Sequence, residues 1–406
     1  MSRRTVVTGM GISTPFGGKT VEADWLQLMA GNSARQKIDF FDISHSRCQE
    51  AAFSKNFFST PNPLRASELA THALHQALLQ ANLLDQNQKL IDSQIPFSVS
   101  TTAGAMAMGE KFVRDILHNK RRGLLKTIHA YQGQQQVLTL QQKFGIRGRS
   151  HIVCNACASG ANAIGHGHQW IQAGWSDCVI VGGFEALTEL LFYGFDCLQS
   201  LAPDSCKPFD RDRNGLMLGE GAGFLVLEEE AHALHRGASI LGVIAGYGQR
   251  TDAHHLTQPH PEGIALAQAI QEALLESQIA PEEIGYLNSH GTGTPMNDGA
   301  EAHSYQKALG SALPRIQVSS TKAMTGHTLG AAGVIEAIFA LLALRDGKAP
   351  PQINCAQPLP ELENSLALSP RPSQNWKASM SVNLGFGGSN AALIFSKFEG
   401  SPERLK

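Results

Sequence analysis

Cys154-Asn155-Ala156-Cys157-Ala158-Ser159-Gly160 is the stretch on which the reading of this chain turns. A short β-forming run, His151-Ile152-Val153, leads into it, and Gly160 to Ile164 leads out into a small-residue helix. The pattern is strand, sharp turn, helix, with a thiol at the bend. Backbone N–H groups without partners at a helix start give Cys157 a positive local potential, which is expected to favour thiolate over thiol. A nucleophile presented this way can attack an acyl group while the N–H groups of the turn receive the oxyanion. Taken alone, such a cysteine is more often a small buried hydrophobe.

Two later segments change that balance. Leu287-Asn288-Ser289-His290-Gly291-Thr292-Gly293-Thr294-Pro295 sets a histidine between an apolar strand and a Gly/Thr/Pro turn. Val318-Ser319-Ser320-Thr321-Lys322-Ala323-Met324-Thr325-Gly326-His327 sets another at the end of a second such unit. Strand-end loops are where open α/β sheets place their chemistry, so Cys157, His290 and His327 form the candidate catalytic set.

With N-A-C-A-S-G, H-G-T-G-T-P, S-S-T-K-A-M-T-G-H and N-L-G-F-G-G-S-N in this order, the chain resembles the β-ketoacyl-acyl carrier protein synthases of the elongating, Cys-His-His type. The likeness runs almost end to end, from Arg3-Arg4-Thr5-Val6-Val7 through Lys207-Pro208-Phe209-Asp210 and Leu218-Gly219-Glu220-Gly221 to Ala391-Ala392-Leu393-Ile394-Phe395. Four motifs in family order are far more specific than one short match.

Composition sets the bounds. The 406 residues allow two domains and a large core, and 40 glycines suit many tight strand-to-helix turns. A net charge of −2 gives no bulk basicity for nucleic acid. The seven cysteines are odd in number and follow no framework spacing, which suits a reducing compartment. Cys154 and Cys157 make a C-x-x-C, but the chain does not resemble the small thioredoxin-like fold, so Cys154 is expected to be a buried strand-end residue. No secretory signal is evident. The longest apolar segment, Ala331 to Leu344, is interrupted by Glu336 and too short to span a bilayer. A soluble cytoplasmic enzyme is expected, with no membrane and no nucleic-acid partner.

Short β-rich runs alternate with helical stretches, the pattern of a layered α/β fold. Strands are expected at Thr5–Thr8, Phe97–Ser100, His151–Val153, Cys178–Val181, Gly223–Leu227, Leu241–Ala245, Tyr286–Asn288 and Gln317–Ser319. Helices are expected at Arg65–Ala81, Gly160–Ala173, Gly263–Glu276 and Ala331–Leu344. The resemblance implies a thiolase-like fold: two similar βαβ halves in a five-layered αβαβα arrangement. The division is expected near residue 240, giving 1–240 with the nucleophile and 241–406 with both histidines.

The resemblance also implies the roles. Cys157 takes an acyl group from a carrier thioester; a malonyl unit on a second acyl carrier protein loses carbon dioxide and attacks it. His290 and His327, as neutral imidazoles, donate N–H bonds to the malonyl thioester oxygen. The N–H groups of Cys157 and Phe386 form the oxyanion hole, with Phe386 also gating the acyl pocket. Lys322 and Glu336 are a supporting ion pair, since a charge on an apolar helix is costly unless paired. Thr292 and Thr294 grip the phosphopantetheine arm or stabilise their turn. Lys120, Arg121, Arg122 and Lys126 form the basic group expected to dock an acidic carrier, or a solvated loop. No bound cofactor and no metal are expected, the substrates riding on the carrier's phosphopantetheine. A homodimer is expected, one sheet continuing across the subunits through Cys178–Val181; a heterodimer with a related ketosynthase-like subunit stays open.

Several positions depart from the family. Ala103 falls where a bulky aliphatic often lines the acyl pocket, Ala158 replaces a frequent Thr, and Gln199 stands where a carrier-binding Arg is often found. Lys126 to Gln136 is unusually polar. These differences bear on the substrate rather than the reaction. They keep a polyene or polyketide ketosynthase, with a chain-length-factor-like partner, beside fatty-acid elongation. A non-catalytic subunit would lack Cys157, and a thiolase would need a second cysteine where Gly385-Phe386-Gly387-Gly388 stands.

Overall fold

The computed structural model describes residues 3–54, 64–120, 122–373 and 375–400. Its strands are β1 (Thr5–Ser13), β2 (Arg35–Lys37), β3 (Glu50–Ala52), β4 (Phe97–Ser100), β5 (Ser150–Val153), β6 (Cys178–Glu185), β7 (Gly221–Glu229), β8 (Gly242–Thr251), β9 (Ile284–Asn288), β10 (Gln317–Ser319), β11 (Ala378–Gly385) and β12 (Ser389–Ser396). β2 and β3 pair with each other; the other ten run in the order β10-β9-β11-β12-β8-β1-β7-β6-β4-β5.

That order is one topology used twice. Outward from the centre, the first half reads β1-β7-β6-β4-β5 and the second reads β8-β12-β11-β9-β10. Substituting β8, β9, β10, β11 and β12 for β1, β4, β5, β6 and β7 converts one list into the other. The halves join where β1 meets β8 antiparallel, Val6 opposite Val243.

Two helices lie between the half-sheets, Ser159–Gln172 after β5 and Ala332–Asp346 after β10. Each packs against strands of both halves and against the other. Residues Ala332 to Leu344 are buried on every side, as a helix apolar all round its circumference should be. The pair cross at glycines: a Cβ on Gly333 would stand 2.3 Å from the backbone nitrogen of Ala161, and one on Gly160 would stand 2.8 Å from that of Val334. Only hydrogen at both positions lets the backbones approach this closely. Helices Arg65–Gln80 and Gly133–Phe144 cover one outer face, and Ile264–Ser277 and Pro295–Leu309 cover the other. This is the thiolase-like, five-layered fold. No helix of the described residues is long and apolar enough to cross a membrane.

Two expectations are corrected. The strand at Cys178 is not an edge: β6 runs on to Glu185 and pairs with β4 on one side and β7 on the other. All eight of its residues are buried, so it has no free hydrogen-bonding edge for a second subunit. The strand at the end of that half is β5. Cys154, expected to be buried, is exposed, because β5 ends at Val153 and the chain has already begun to turn.

Candidate active site

The nucleophile's turn is built by local chemistry. Ala156 sits at φ +56°, a left-handed conformation unusual for a residue with a Cβ, and it bends the chain directly before Cys157. Ser159 holds the bend: its hydroxyl accepts from Asn155 N–H at 2.8 Å and donates to Ala156 C=O at 2.5 Å. No side chain caps the helix at Ala158; the Ser159 N–H closes onto Ala156 C=O at 3.1 Å. On the other side, a Cβ on Gly385 would lie 3.2 Å from Cys157 N, and the backbone N–H of Phe386 is the weakest of the influences that act on the Cys157 thiol, drawing it down.

Thiolate is not the resting form. Burial pushes the Cys157 thiol up to about 12, with Lys322 the strongest influence in the opposite direction. The expected thiolate bias is overturned because desolvation penalises the charged form.

Both histidines reach the sulfur. Cys157 Sγ and one ring nitrogen from each of His290 and His327 lie within 4.8 Å of one another. The rings stand at 86° with centroids 5.1 Å apart. Burial drives both imidazoles well below their ordinary range, and Lys322 adds to the effect, so both are neutral. The same donor set, one sulfur and two imidazole nitrogens, is also of the kind that binds thiophilic divalent ions.

The His327 ring is held through its Nδ1, whereas His290 is held through its backbone and its Nδ1 is buried without a partner. Leu329 N–H donates to His327 Nδ1 at 3.3 Å. Glu301 accepts the backbone N–H of His290 at 2.5 Å and that of Gly291 at 2.7 Å, and also takes a hydrogen bond from Tyr305. Lys322 pairs with Glu336, whose other oxygen accepts from Asn383 at 2.7 Å. Burial raises Glu336, and the Lys322 ammonium pulls it back down.

A cleft of about 260 Å³ opens onto this trio. Thr292, Thr294, Gln199 and Phe386 line it, with Phe195 packed against Phe386 at 5.8 Å between ring centroids. Ala103 is not among the lining residues: its N–H donates to Glu185 at 2.7 Å, which pulls its loop toward the central helices. Ala158 is fully buried in the core cluster between the halves. Of the basic group, Lys120 pairs with Asp115 at 3.1 Å, Arg122 and Lys126 are exposed, and Arg121 lies outside the described residues. Lys120, Arg122 and Lys126 are not on the cleft wall.

Sequence reasoning passed over the buried acids. Asp298 accepts from Phe209 N–H at 2.8 Å, and Glu185 accepts from Thr102, Ala103 and Gly330 N–H groups at 2.7 to 3.0 Å. Burial, and then the Asp298 charge, raises Glu301 to about 7. Acids within two turns of the H-G-T-G-T-P segment were the available signal, since carboxylates early in a helix serve nearby N–H groups. Glu185 carried no such signal.

A thiol at a helix start beside two neutral imidazoles, on a thiolase-like scaffold, defines a condensing acyltransferase. The chain belongs to the beta-ketoacyl synthase family: residues 2–233 match its N-terminal domain and 241–356 its C-terminal domain. It is 35% identical to 3-oxoacyl-[acyl-carrier-protein] synthase 2 of Synechocystis sp., over 98% of this chain and 99% of that one. It is 34% identical to the protein of that name from Vibrio cholerae, over 97% and 99%. Among solved structures it is similar to a type II polyketide-synthase acyl-carrier protein in complex with its ketosynthase bound to the hexaketide, at 26% identity and TM-score 0.89, covering 98% of this chain and 100% of that one. The ishigamide ketosynthase/chain length factor follows at 29% and 0.88, with the same coverage.

Proposed function

We propose that this protein is an elongating 3-oxoacyl-acyl carrier protein synthase of fatty-acid biosynthesis that extends an acyl chain by two carbons. The observation that carries the reading is the convergence of Cys157 Sγ with two neutral imidazoles within 4.8 Å.

In the first half-reaction Cys157 Sγ attacks the thioester carbonyl of an acyl carrier. The oxyanion is received by the N–H groups of Cys157 and Phe386, the bond to the pantetheine sulfur breaks, and the thiol proton leaves with that sulfur. In the second, the carboxylate of a malonyl carrier departs as carbon dioxide. The bonding electrons become an enolate whose oxygen takes N–H bonds from His290 and His327. The enolate carbon attacks the acyl-Cys157 carbonyl, a C–C bond forms, and the Cys157 sulfur leaves and is reprotonated. Neutral imidazoles suit this step because they stabilise the enolate without protonating it.

The supporting roles follow. Lys322 and Glu336 hold the electrostatic setting of the histidines, Thr292 and Thr294 contact the pantetheine arm, and Phe386 gates the cleft. Lys120, Arg121, Arg122 and Lys126 dock the acidic carrier, and Ala103 bears on acyl size. No further cofactor is needed. The enzyme works in the cytoplasm as a homodimer with acyl carrier protein as its partner. A polyketide or polyene ketosynthase paired with a chain-length-factor-like subunit is the second reading, favoured by the likeness to two ketosynthases of such systems. Loading a panel of acyl carriers and weighing the Cys157 peptide tests the proposal: saturated acyl groups are expected, while exclusive acceptance of polyenoyl or polyketidyl groups would select the second reading.

A further inference from the structure

We propose that Asn155 is a positioning residue that sets the register of the Gly385–Ser389 turn against Cys157, and with it the placement of the Phe386 N–H. The proposal rests on the reading of Cys157 as the acylated nucleophile. Asn155 touches both ends of the turn. At one end its backbone oxygen lies 2.9 Å from where a Cβ on Gly385 would stand, so the turn enters flush against the nucleophile's bend. At the other end its Nδ2 donates to Ser389 Oγ at 2.9 Å. Asn162 Nδ2 reaches that same oxygen at 3.4 Å, and Asn162 Oδ1 accepts from Tyr247 OH at 2.8 Å. One hydroxyl is thereby gripped by two amides of the nucleophile's own segment.

Between these anchors the turn closes a hairpin in which Gly385 pairs with Ser389. Gly387 and Gly388 are both left-handed, at φ +81° and +82°, and Phe386 is 37% exposed. Gly388 N–H closes onto Gly385 C=O at 3.0 Å, and Gly387 N–H donates to Leu256 C=O at 2.7 Å. The backbone N–H of Phe386, within this turn, draws the Cys157 thiol down. The ladder sets the ends of the turn against each other, and Asn155, touching both ends, sets them against the bend that carries the sulfur. Its side chain is held for that single bond, since Oδ1 is buried without a partner, an arrangement that costs stability.

Steady-state acyl loading of the full-length enzyme tests this. Ser389→Ala should lower kcat by about 10- to 100-fold, the scale for roughly 1 Å of misplacement, with KM for the acyl carrier within about twofold. Ser389→Thr, which keeps the hydroxyl, should restore kcat. Asn155→Ala should lose no more than Ser389→Ala, which also removes the Asn162 contact, and the double variant should lose no more than Ser389→Ala alone, because the Asn155–Ser389 bond is common to both. Unchanged kcat in Ser389→Ala, failed rescue by Ser389→Thr, or additive losses would overturn the proposal. Should the wild type load no acyl group, the synthase reading fails separately. Iodoacetamide alkylation of Cys157 then reads the same bond, slower by about threefold or more in Ser389→Ala if the donor is displaced and equal to wild type if it is not.

Discussion

The backbone N–H of Leu329 donates to Nδ1 of His327 at 3.3 Å, and that bond decides which nitrogen carries the proton. With Nδ1 accepting, a neutral imidazole holds its hydrogen on Nε2, where it can donate to a developing enolate. His327→Ala should therefore cost condensation about 10²- to 10³-fold, the usual loss for one oxyanion donor, while acyl loading of Cys157 falls much less. Single-turnover assays of the two half-reactions separate these outcomes. Equal losses in both would remove His327 from the malonyl step.

The depressed histidines set a pH dependence. Both lie well below the ordinary 6.5, so the folded protein refuses protons that the unfolded chain accepts as pH falls through that value. The unfolded state then binds more protons, and stability falls with decreasing pH below about 6.5. Condensation, which needs neutral rings, should persist through pH 6. Thermal melts and a pH–rate profile check both signs; a rate limb centred near 6.5 would contradict the electrostatics.

Lys322 lowers both histidines and is the strongest force holding the Cys157 thiol down. Lys322→Met should move the acid limb of condensation up toward 6.5 and slow alkylation of Cys157. It also leaves Glu336 buried without its cation, a loss on the order of 3–5 kcal/mol in folding stability. Chemical denaturation gives the second number and the pH–rate profile the first.

Cys157→Ala should abolish acyl loading, and Cys154→Ala should retain it, since Cys154 is exposed and outside the cleft. Because burial pushes the Cys157 thiol up to about 12, its alkylation rate should keep rising with pH past 9. A plateau below pH 8 would mean that the thiolate is the resting form.

For a sheet that continues into a second subunit, β5 replaces the Cys178 strand. Phe97 N–H donates to Arg149 C=O at 2.9 Å and Thr101 N–H to Val153 C=O at 3.3 Å. The alternation points the N–H groups of Ser150 and Ile152 away from β4. The opposite end is different: Val318 in β10 donates to Ser365 and accepts from Ala367. Ser150→Pro removes an outward donor and should shift a dimer toward monomer in light-scattering mass at micromolar concentration. A wild-type monomer would refute the pairing altogether.

The residues that converge at the site are legible in one dimension because each sits in a short motif whose local backbone makes its setting. Cys157 lies between a strand end and a helix start, and His290 and His327 lie on Gly-rich strand ends. The strands were legible as cores: Phe97–Ser100 and Gln317–Ser319 stand at their expected bounds. Others, such as β6 and β8, run four to six residues further, since their ends are held by partners distant in sequence. Pairing partners lie outside any local pattern, so nothing within β6 distinguishes an edge strand from one with β4 and β7 on either side. Charge balance was equally non-local. A helix start beside Cys157 argued for thiolate, but the burial created by folding outweighs it, and that burial comes from residues as distant as His327 and Phe386.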